Sequence, residues 1–470
     1  MSRFARTLNT HEAAYHIQPL DDFPDLLAFH RLNATRYPHL LESVSHGTAQ
    51  SRYDILFAFP GQTLSLDHLF QLTLDDQICA HSDFLAQLDA LVSSNTVSPD
   101  EHVNNGMDPP FKGGWFVYLS YELIQQIEPS LGHWKTDPSL PVAMASYFPA
   151  AIVRDHIQQC SYIVCESGQH QELIAEIQND IKTIHSKAVD RDIVLAFFEE
   201  SAPEPYLQAV DKVKRYIRDG DVFQVNLSRL WQACLQENIP SHVLYQRLRH
   251  TNPAPFAGLM TLQNDTAVIS SSPERLVEVK QGKLSTRPIA GTYPRSSDSQ
   301  KDEALSQALL AHPKERAEHI MLIDLERNDL GRVCRPGTVC VKELMTVEHY
   351  QHVHHIVSEI SGELKQGATP GQVIAAVFPG GTITGCPKIR CMEIIQELES
   401  TPRGAYTGAM GYISRDGHMD INILIRTLVR HGKDIQLQAG SGLVADSIPE
   451  RELEETRAKA LGMIRAIREA

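Results

Sequence analysis

The amino-acid sequence predicts an α/β (α+β) protein, with strands and helices interspersed along the whole chain. Three observations carry this expectation. Short apolar runs bounded by proline or polar turns, such as YDILFAFP (53–60), SYIVCES (161–167) and TAVISSSPERLVEV (266–279), have the length and composition of strands. Segments such as ELIAEIQNDIKTIHSKA (172–188) space their apolar residues at helical intervals. The chain is also 470 residues long, more than one compact core usually organises.

The first portion, 1–195, mixes strand-like runs with polar loops and includes the glycine-led GGWFVYLSYEL (113–123). Acidic, proline-containing EESAPEP (199–205) marks the boundary to a second portion, 200–468. There Tyr206, Val210, Val213 and Ile217 follow at helical spacing as far as Asp219-Gly220. VFQVNLSRL (222–230) alternates apolar and polar residues, the mark of a half-buried strand with Gln224 and Asn226 on one face. TAVISSSPERLVEV reads as strand, tight Ser-Pro turn, strand. MDINILIRTLV (419–429) reads as one further strand, with Arg426 on the face of Asn422 and Leu424.

Composition excludes some functions. Lysine plus arginine number 43 against 58 acidic residues, a net charge of −15, which disfavours general nucleic-acid or anionic-membrane binding. No apolar run approaches the ~18 residues of a membrane span. MSRFARTLNTHEAAYH has no apolar signal-peptide core. Eight cysteines without a CxxC pair read as reduced thiols. A cytoplasmic protein is expected.

Carboxylates recur at helical spacing. In HPKERAEHIMLIDLERND (312–329), proline opens a helix and Glu315 and Glu318 share a face. In DSIPERELEETRAKALGMIRAI (446–467), Ser447 and Glu450 form a capping-box pattern, and Glu452, Glu455 and Lys459 form a stripe. Leu453, Leu461 and Ile464 supply its expected packing face. Such a stripe is either solvated helix surface, favoured by the helix dipole, or a site for a hard cation such as Mg²⁺. QAGSGLVADS (438–447) reads as a glycine loop before this helix, with Gly440 and Gly442 admitting an anion to backbone N–H groups. GGTITGCPK (380–388) is a second such loop, with Lys388 at the start of a helix, but it lacks the GxxxxGK[ST] pattern of a nucleotide P-loop. RPIAGTYPR (287–295) brackets a turn at Gly291 with two arginines, which suggests an anionic neighbour. HYQHVHHIV (349–357) reads as a helix face bearing polar histidines, His352 and His355 among them, not as a zinc site. Together these signals suggest a carboxylate substrate bridged by a metal.

In this order, GDVFQVNLSR, SSSPERLV, RPIAGTYPR, KERAEHIMLIDLERNDLGRV, GGTITGCPK, RGAYTGAMGYIS, MDINILIRTLV and AGSGLVADSIPERELEET closely resemble the chorismate-utilising enzymes. That family includes anthranilate synthase component I, aminodeoxychorismate synthase component I, and the isochorismate and salicylate synthases. The likeness is specific over residues ~205–465. LLESVSHGTAQSRYDILFAFP (40–60) and FKGGWFVYLSYEL (111–123) resemble the N-terminal region of the two aminating enzymes. The resemblance implies two large, mainly antiparallel sheets packed as a sandwich with helices outside, the N-terminal portion interleaved with the rest.

The resemblance also implies roles. Glu318 and Glu455 would hold Mg²⁺, with Glu315 and Glu452 as further ligands. Gly440, Gly442 and Lys459 would complete the site of the ring carboxylate of chorismate. Tyr406 and Arg426 would take the enolpyruvyl carboxylate. Glu274 would be the general acid for the departing C4 hydroxyl, with His355, Gly291 and Thr292 lining the pocket. Water-using relatives carry lysine at the place of Gln224, so glutamine here implies ammonia, delivered from a separate glutaminase subunit. Many aminodeoxychorismate synthases carry lysine at Ala290, whereas anthranilate synthases carry alanine. Asn226, Arg275, NPAPFAG (252–258), SRYDI and MDINILIRT instead look like aminodeoxychorismate synthases. The expectation is therefore aminodeoxychorismate synthase component I, with anthranilate synthase component I as the alternative that Ala290 suggests. The full set of acidic residues argues against an inactive scaffold. Ser43, in LLES, matches a tryptophan-pocket serine of anthranilate synthases or is a structural loop serine.

Overall fold

The computed structural model describes residues 14–45, 51–96, 108–184, 192–296, 298–349 and 353–468. His352 and residues 185–188 of the expected helix lie outside them. Among the described residues, two antiparallel sheets of twelve strands each organise the fold. The first runs in the order Tyr15–Leu20, Cys160–Glu166, Ala150–Asp155, Tyr53–Ala58, His39–Glu42, Phe256–Thr261, Thr266–Ser272, Thr427–His431, Asp434–Leu443, Gln224–Leu235 and Leu195–Glu200. Its twelfth strand, Gly385–Cys386, pairs with the start of Gln224–Leu235. The second runs Ile289–Pro294, Val353–Glu363, Lys283–Thr286, Arg275–Lys280, Met419–Ile423, Ala409–Ser414, Gly114–Leu119, Ala143–Phe148, Thr63–Leu66, Leu72–Leu74 and Gln77–Ile78, with Cys340–His349 also on Val353–Glu363. Both portions of the chain contribute strands to both sheets.

The layers follow from which faces are apolar. Phe57, Met260 and Val268 of the first sheet meet Phe116, Phe148 and Met410 of the second in the space between them. Helices Ser241–Thr251 and Pro449–Arg468 cover the outer face of the first sheet on Trp231, Leu259, Ile269 and Leu437. Helices Phe84–Ser94, Pro313–Val333 and Pro370–Val377 cover the second on Val277, Ile360 and Ile421. Each sheet is thus buried on both faces over its middle. That is why Gln224–Leu235, expected to be half-buried, has its first four residues all buried: Val225 and Leu227 pack under Cys391, Ile394 and Ile395 of helix Lys388–Leu398.

Two segments read as simpler units change sheets. Thr266–Ser272 belongs to the first sheet and Arg275–Lys280 to the second, so the Ser-Pro turn is a crossover. MDINILIRTLV is two strands, Met419–Ile423 in the second sheet and Thr427–His431 in the first. Arg426 sits in the bend between them with φ +52°, off the strand face that was expected to carry it with Asn422 and Leu424. A strand that switches sheets must bend sharply, and a left-handed residue supplies the bend. The two crossovers lie side by side: the Ser271 amide donates to the Arg426 carbonyl at 3.1 Å, and the Ile423 amide donates to the Glu274 carbonyl at 3.0 Å.

Other local expectations also change. Gly440 and Gly442 lie inside strand Asp434–Leu443, opposite Ser228 and Asn226, not in a loop. The histidine segment is strand, not helix, with β-branched Val353, Ile356 and Val357 in Val353–Glu363. RPIAGTYPR forms strand Ile289–Pro294, with a register shift between Ala290 and Thr292 where Gly291 takes φ +64°. The carboxylate helix begins at Pro449, but the Ser447 hydroxyl accepts the Val444 amide at 3.0 Å where a capping box would have it take that of Glu450. Leu461 is 44% exposed; the packing face is Leu453, Ala460, Met463 and Ile467, with Ile464 at its margin.

Close strand approach gives a test. A methyl on Gly411, in Ala409–Ser414, would stand 2.1 Å from the Asp420 carbonyl oxygen across the pair. Gly411→Ala is expected to cost about 1–3 kcal/mol by overpacking. Urea unfolding should show a lower midpoint, and an unchanged midpoint would contradict the tight pairing.

Candidate active site

The two crossovers bring Glu274 and Arg426 together at the seam between the sheets. Glu274 is 6% exposed. Burial pushes its carboxyl up to about 7, while the Thr382 hydroxyl, the Ile289 amide, Lys459 and Arg426 pull the other way. Burial likewise lowers the proton affinity of Arg426, and Glu274 is the charge that opposes this. Among the described residues Arg426 forms no ion pair, so its guanidinium is a ready partner for an incoming anion. The Thr407 amide donates to the Leu424 carbonyl at 2.7 Å, and this bond fixes the loop carrying Tyr406 beside the second crossover.

The floor of the site is the glycine-bearing strand. A methyl on Gly440 would lie 2.5 Å from the Leu227 carbonyl oxygen, 2.7 Å from the Tyr406 hydroxyl and 2.8 Å from Asn226 Oδ1. A methyl on Gly442 would lie 2.3 Å from Gln224 Nε2 and 3.6 Å from Glu318 Oε1. Glycine is required because polar side chains crowd over this strand. Above it, Lys459 Nζ donates to the Gly440 carbonyl at 3.1 Å and pairs with Glu455 at 2.8 Å. Gln224 Nε2 donates to Glu318 Oε1 at 2.8 Å. A methyl on Gly291 would come within 2.9 Å of Glu315 Oε2, so the bulge and the carboxylate helix meet.

Four buried oxygens at this site, Gln224 Oε1, Asn226 Oδ1, Thr382 Oγ1 and Glu452 Oε2, have no well-formed hydrogen bond. Buried polar atoms are nearly always satisfied, so such a group marks a place for a ligand. Among the described residues no three His, Cys, Asp or Glu side chains are gathered closely enough to hold a metal ion. The acidic side chains here nevertheless suit a hard cation: they offer oxygen donors alone, and Glu452 retains an unpartnered oxygen.

One wall is strand Ile289–Pro294. Ala290 is 6% exposed and pairs with Ile356; Thr292 pairs with His355. His355 Nδ1 donates to the Gly291 carbonyl at 3.2 Å, which makes Nδ1 the protonated nitrogen of the neutral ring. Burial holds His355 down at about 4, so the ring is neutral near pH 7. The bracketing arginines meet the protein's own carboxylates: Arg287 binds Glu343, Glu348 and Glu359, and Arg295 binds Asp302. Lys388 is likewise taken up by Asp329 at 2.5 Å.

Ser43 lies elsewhere, on a pocket of about 190 Å³ with Arg52, Tyr53, Phe256, Met410 and Asn422. Its hydroxyl lies 3.2 Å from the Tyr53 and Pro255 carbonyls, and its amide donates to Asp54 at 2.8 Å. Arg275, in the same pocket, makes a bidentate pair with Asp420 at 2.9 and 2.8 Å. Three contributors escaped sequence reasoning. Thr382, whose buried hydroxyl oxygen has no hydrogen-bond partner among the described residues, acts on the Glu274 carboxyl. Arg403, buried beneath the ring of Tyr406, donates to the Asn226 carbonyl at 2.8 Å. Glu326 stands about three helical turns beyond Glu315, a spacing that could have flagged it.

A family model described as chorismate binding enzyme matches residues 29–465. The chain belongs to this family. This chorismate-utilising enzyme is 40% identical over 380 residues to anthranilate synthase component 1 of Acetivibrio thermocellus, covering 77% of this chain and 76% of that one. It is 41% identical over 368 residues to aminodeoxychorismate synthase component 1 of Bacillus subtilis (strain 168), covering 76% and 78%. The crystal structure of anthranilate synthase component I from Streptococcus pneumoniae TIGR4 superposes with a TM-score of 0.78 at 32% identity, over 95% of this chain and 98% of that one. Among the described residues no helix is long and apolar enough to cross a membrane.

The site's electrostatics can be checked directly. The Glu274 carboxyl is expected to titrate near pH 7, protonated below and ionised above, against an ordinary value of 4.5. Arg426→Met removes a cation that favours the carboxylate, so the protonated form should persist to higher pH. Infrared difference spectra across pH 5–9, with Glu274→Gln as the blank, read this. Titration in the ordinary carboxylate range would refute the buried geometry.

Proposed function

We propose that this enzyme is component I of an aminodeoxychorismate synthase, which replaces the C4 hydroxyl of chorismate by ammonia to give 4-amino-4-deoxychorismate, a precursor of p-aminobenzoate and folate. The observation that carries the reading is Asn226, whose side-chain oxygen is buried, unpartnered and turned to the glycine floor beside Tyr406. The aminodeoxychorismate synthases resemble this chain in that polar residue, where anthranilate synthases tend to carry an apolar one. Gln224 supports ammonia over water as nucleophile, since an amide bonded to Glu318 cannot act as a base. A separate glutaminase subunit would supply the ammonia, as the component 1 names of the relatives suggest.

In this reading Arg426 and Tyr406 hold the enolpyruvyl carboxylate, a pairing suited to a guanidinium that forms no ion pair among the described residues. Lys459 and the strand at Gly440 and Gly442 receive the ring carboxylate. Glu274, whose carboxyl is pushed up to about 7, gives its proton to the departing hydroxyl, a leaving group too poor to go unaided. His355, Gly291 and Thr292 line the ring. Glu318 and Glu455, with Glu315 and Glu452, would hold Mg²⁺, which when bound neutralises the substrate's anionic charge and anchors it.

Ala290 favours a second reading, anthranilate synthase component I, because it places no amine on the wall beside the substrate. Purified protein with chorismate, Mg²⁺ and ammonium decides between them. The expected product is 4-amino-4-deoxychorismate; anthranilate with pyruvate would establish the alternative, and isochorismate would refute ammonia as nucleophile. Chelation of Mg²⁺ should abolish turnover, and Glu455→Gln should lower it at least ~tenfold. Calorimetry with tryptophan tests the Ser43 pocket. Stoichiometric heat lost in Ser43→Phe would support binding there, and no heat would leave Ser43 as a structural residue between strands.

A further inference from the structure

Beneath the floor of the site lies a buried arginine that this chemistry leaves unused. Arg403 is 3% exposed and pairs bidentately with Glu399, Nε donating to Oε2 at 2.8 Å and Nη2 to Oε1 at 2.7 Å. Nη2 also donates to the Asn226 carbonyl at 2.8 Å, and Nη1 donates to the Ile383 carbonyl and the Thr407 hydroxyl, both at 3.2 Å. A guanidinium has five N–H groups, and these bonds engage all of them. Arg403 therefore has no donor left for a substrate, in contrast to Arg426, which forms no ion pair among the described residues. Its acceptors instead belong to separate segments of the site: strand Gln224–Leu235, the turn Gly381–Ile383 that carries Thr382, and the loop that carries Tyr406. Glu399 ties the pair to the same strand again, accepting the Ser228 amide at 2.8 Å and the Ser228 hydroxyl at 3.0 Å.

The Tyr406 loop needs such a hold. Thr407 takes φ +60°, a left-handed conformation that strains a β-branched residue and persists only where the surroundings enforce it. Its amide donates to the Leu424 carbonyl at 2.7 Å, and its hydroxyl oxygen accepts from Arg403. On the other side, the Tyr406 amide donates to the Arg403 carbonyl at 2.9 Å, and the Arg403 guanidinium lies 5.5 Å from the centre of the Tyr406 ring. Glu122, 1% exposed, accepts the Arg403 amide at 2.8 Å and the Gly404 amide at 3.1 Å, which fixes the start of the loop. With the loop held at both ends, the Tyr406 hydroxyl stands 2.7 Å from the methyl that Gly440 lacks.

We infer that Arg403 is a positioning residue: it touches no substrate atom, but it fixes the Tyr406 hydroxyl over the glycine strand so that Tyr406 and Arg426 take one carboxylate together. The inference rests on the reading of Tyr406 as a ligand of the enolpyruvyl carboxylate. That carboxylate takes no part in bond making at the ring, so its ligands act alike on the ground and transition states, and misplacing one is read in KM and not in kcat. The role belongs to arginine, because a planar fork reaches several carbonyls and a hydroxyl from one position. Lysine would keep the charge beside Glu399 but offers a point donor with only three N–H groups.

Arg403→Lys, Tyr406→Phe and the double variant test this through initial rates of chorismate consumption by the purified enzyme with Mg²⁺ and ammonium. Each single variant is expected to raise the KM for chorismate about tenfold and to keep kcat within about threefold of wild type. The double variant should have a KM within about twofold of Tyr406→Phe alone, because a hydroxyl that is absent cannot be misplaced. A merely structural role would lower the active fraction, and kcat with it, at unchanged KM. That result, or single effects on KM that multiply to about a hundredfold in the double variant, would overturn the inference. If Arg403→Lys does not fold, Glu399→Gln keeps the guanidinium and weakens its anchor. Its rise in KM should vanish in the Tyr406→Phe background, and a rise that persists there would overturn the inference equally. Tyr406→Phe by itself separates the two readings. A raised KM upholds Tyr406 as a ligand whatever Arg403 does, and an unchanged KM removes the ligand and its positioning residue together.

Discussion

The structure depends on the paired crossing of two strand connections between the sheets, at 272–275 and 423–427. Each crossing breaks the ladder of one sheet to enter the other, and each is stabilised by the other through the Ser271–Arg426 and Ile423–Glu274 backbone bonds. A strand bend leaves side chains pointing along the seam, where a regular strand would point them into a packed layer. Glu274 and Arg426 occupy these bends, so a carboxyl and a guanidinium are placed together by backbone geometry. The glycine strand, the 403–408 loop and the two carboxylate helices close around that point.

Burial then sets the chemistry. The surroundings that push the Glu274 carboxyl up also keep His355 neutral, and among the described residues Arg426 forms no ion pair. Each is costly for a free-standing fold, and an anionic, hydroxyl-bearing substrate would relieve several costs at once. The unpartnered oxygens of Gln224, Asn226, Thr382 and Glu452 express the same bias. Further out, charges are paired internally: Arg287, Arg295, Arg275 and Lys388 all meet carboxylates of the chain. Sequence alone cannot draw this contrast between paired and unpaired cations, because pairing depends on distant segments.

Much of the fold was legible. Short apolar runs bounded by turns marked Tyr53–Ala58 and Cys160–Glu166, which are buried on both faces, and helical spacing marked Pro203–Arg218 and Pro313–Val333, because these signals are local to each segment. The misreadings share a cause. Glycine inside Asp434–Leu443 looked like a loop because glycine normally weakens a strand; here the crowding of Tyr406, Asn226 and Gln224 from elsewhere demands it. MDINILIRTLV looked like one strand because its apolar pattern continues through the bend, and only the partner strands show that its two halves lie in different sheets.

By itself, then, the sequence determined the alternation of strands and helices, the two carboxylate helices and the family, because motif order, spacing and hydrophobic period are local properties of the chain. Tertiary structure alone decided which acid is buried, which arginine forms no ion pair among the described residues, and that Ser43 belongs to another pocket. Those properties arise from contacts between residues far apart in sequence, and the free energy of a charge depends on what surrounds it, not on its neighbours along the chain.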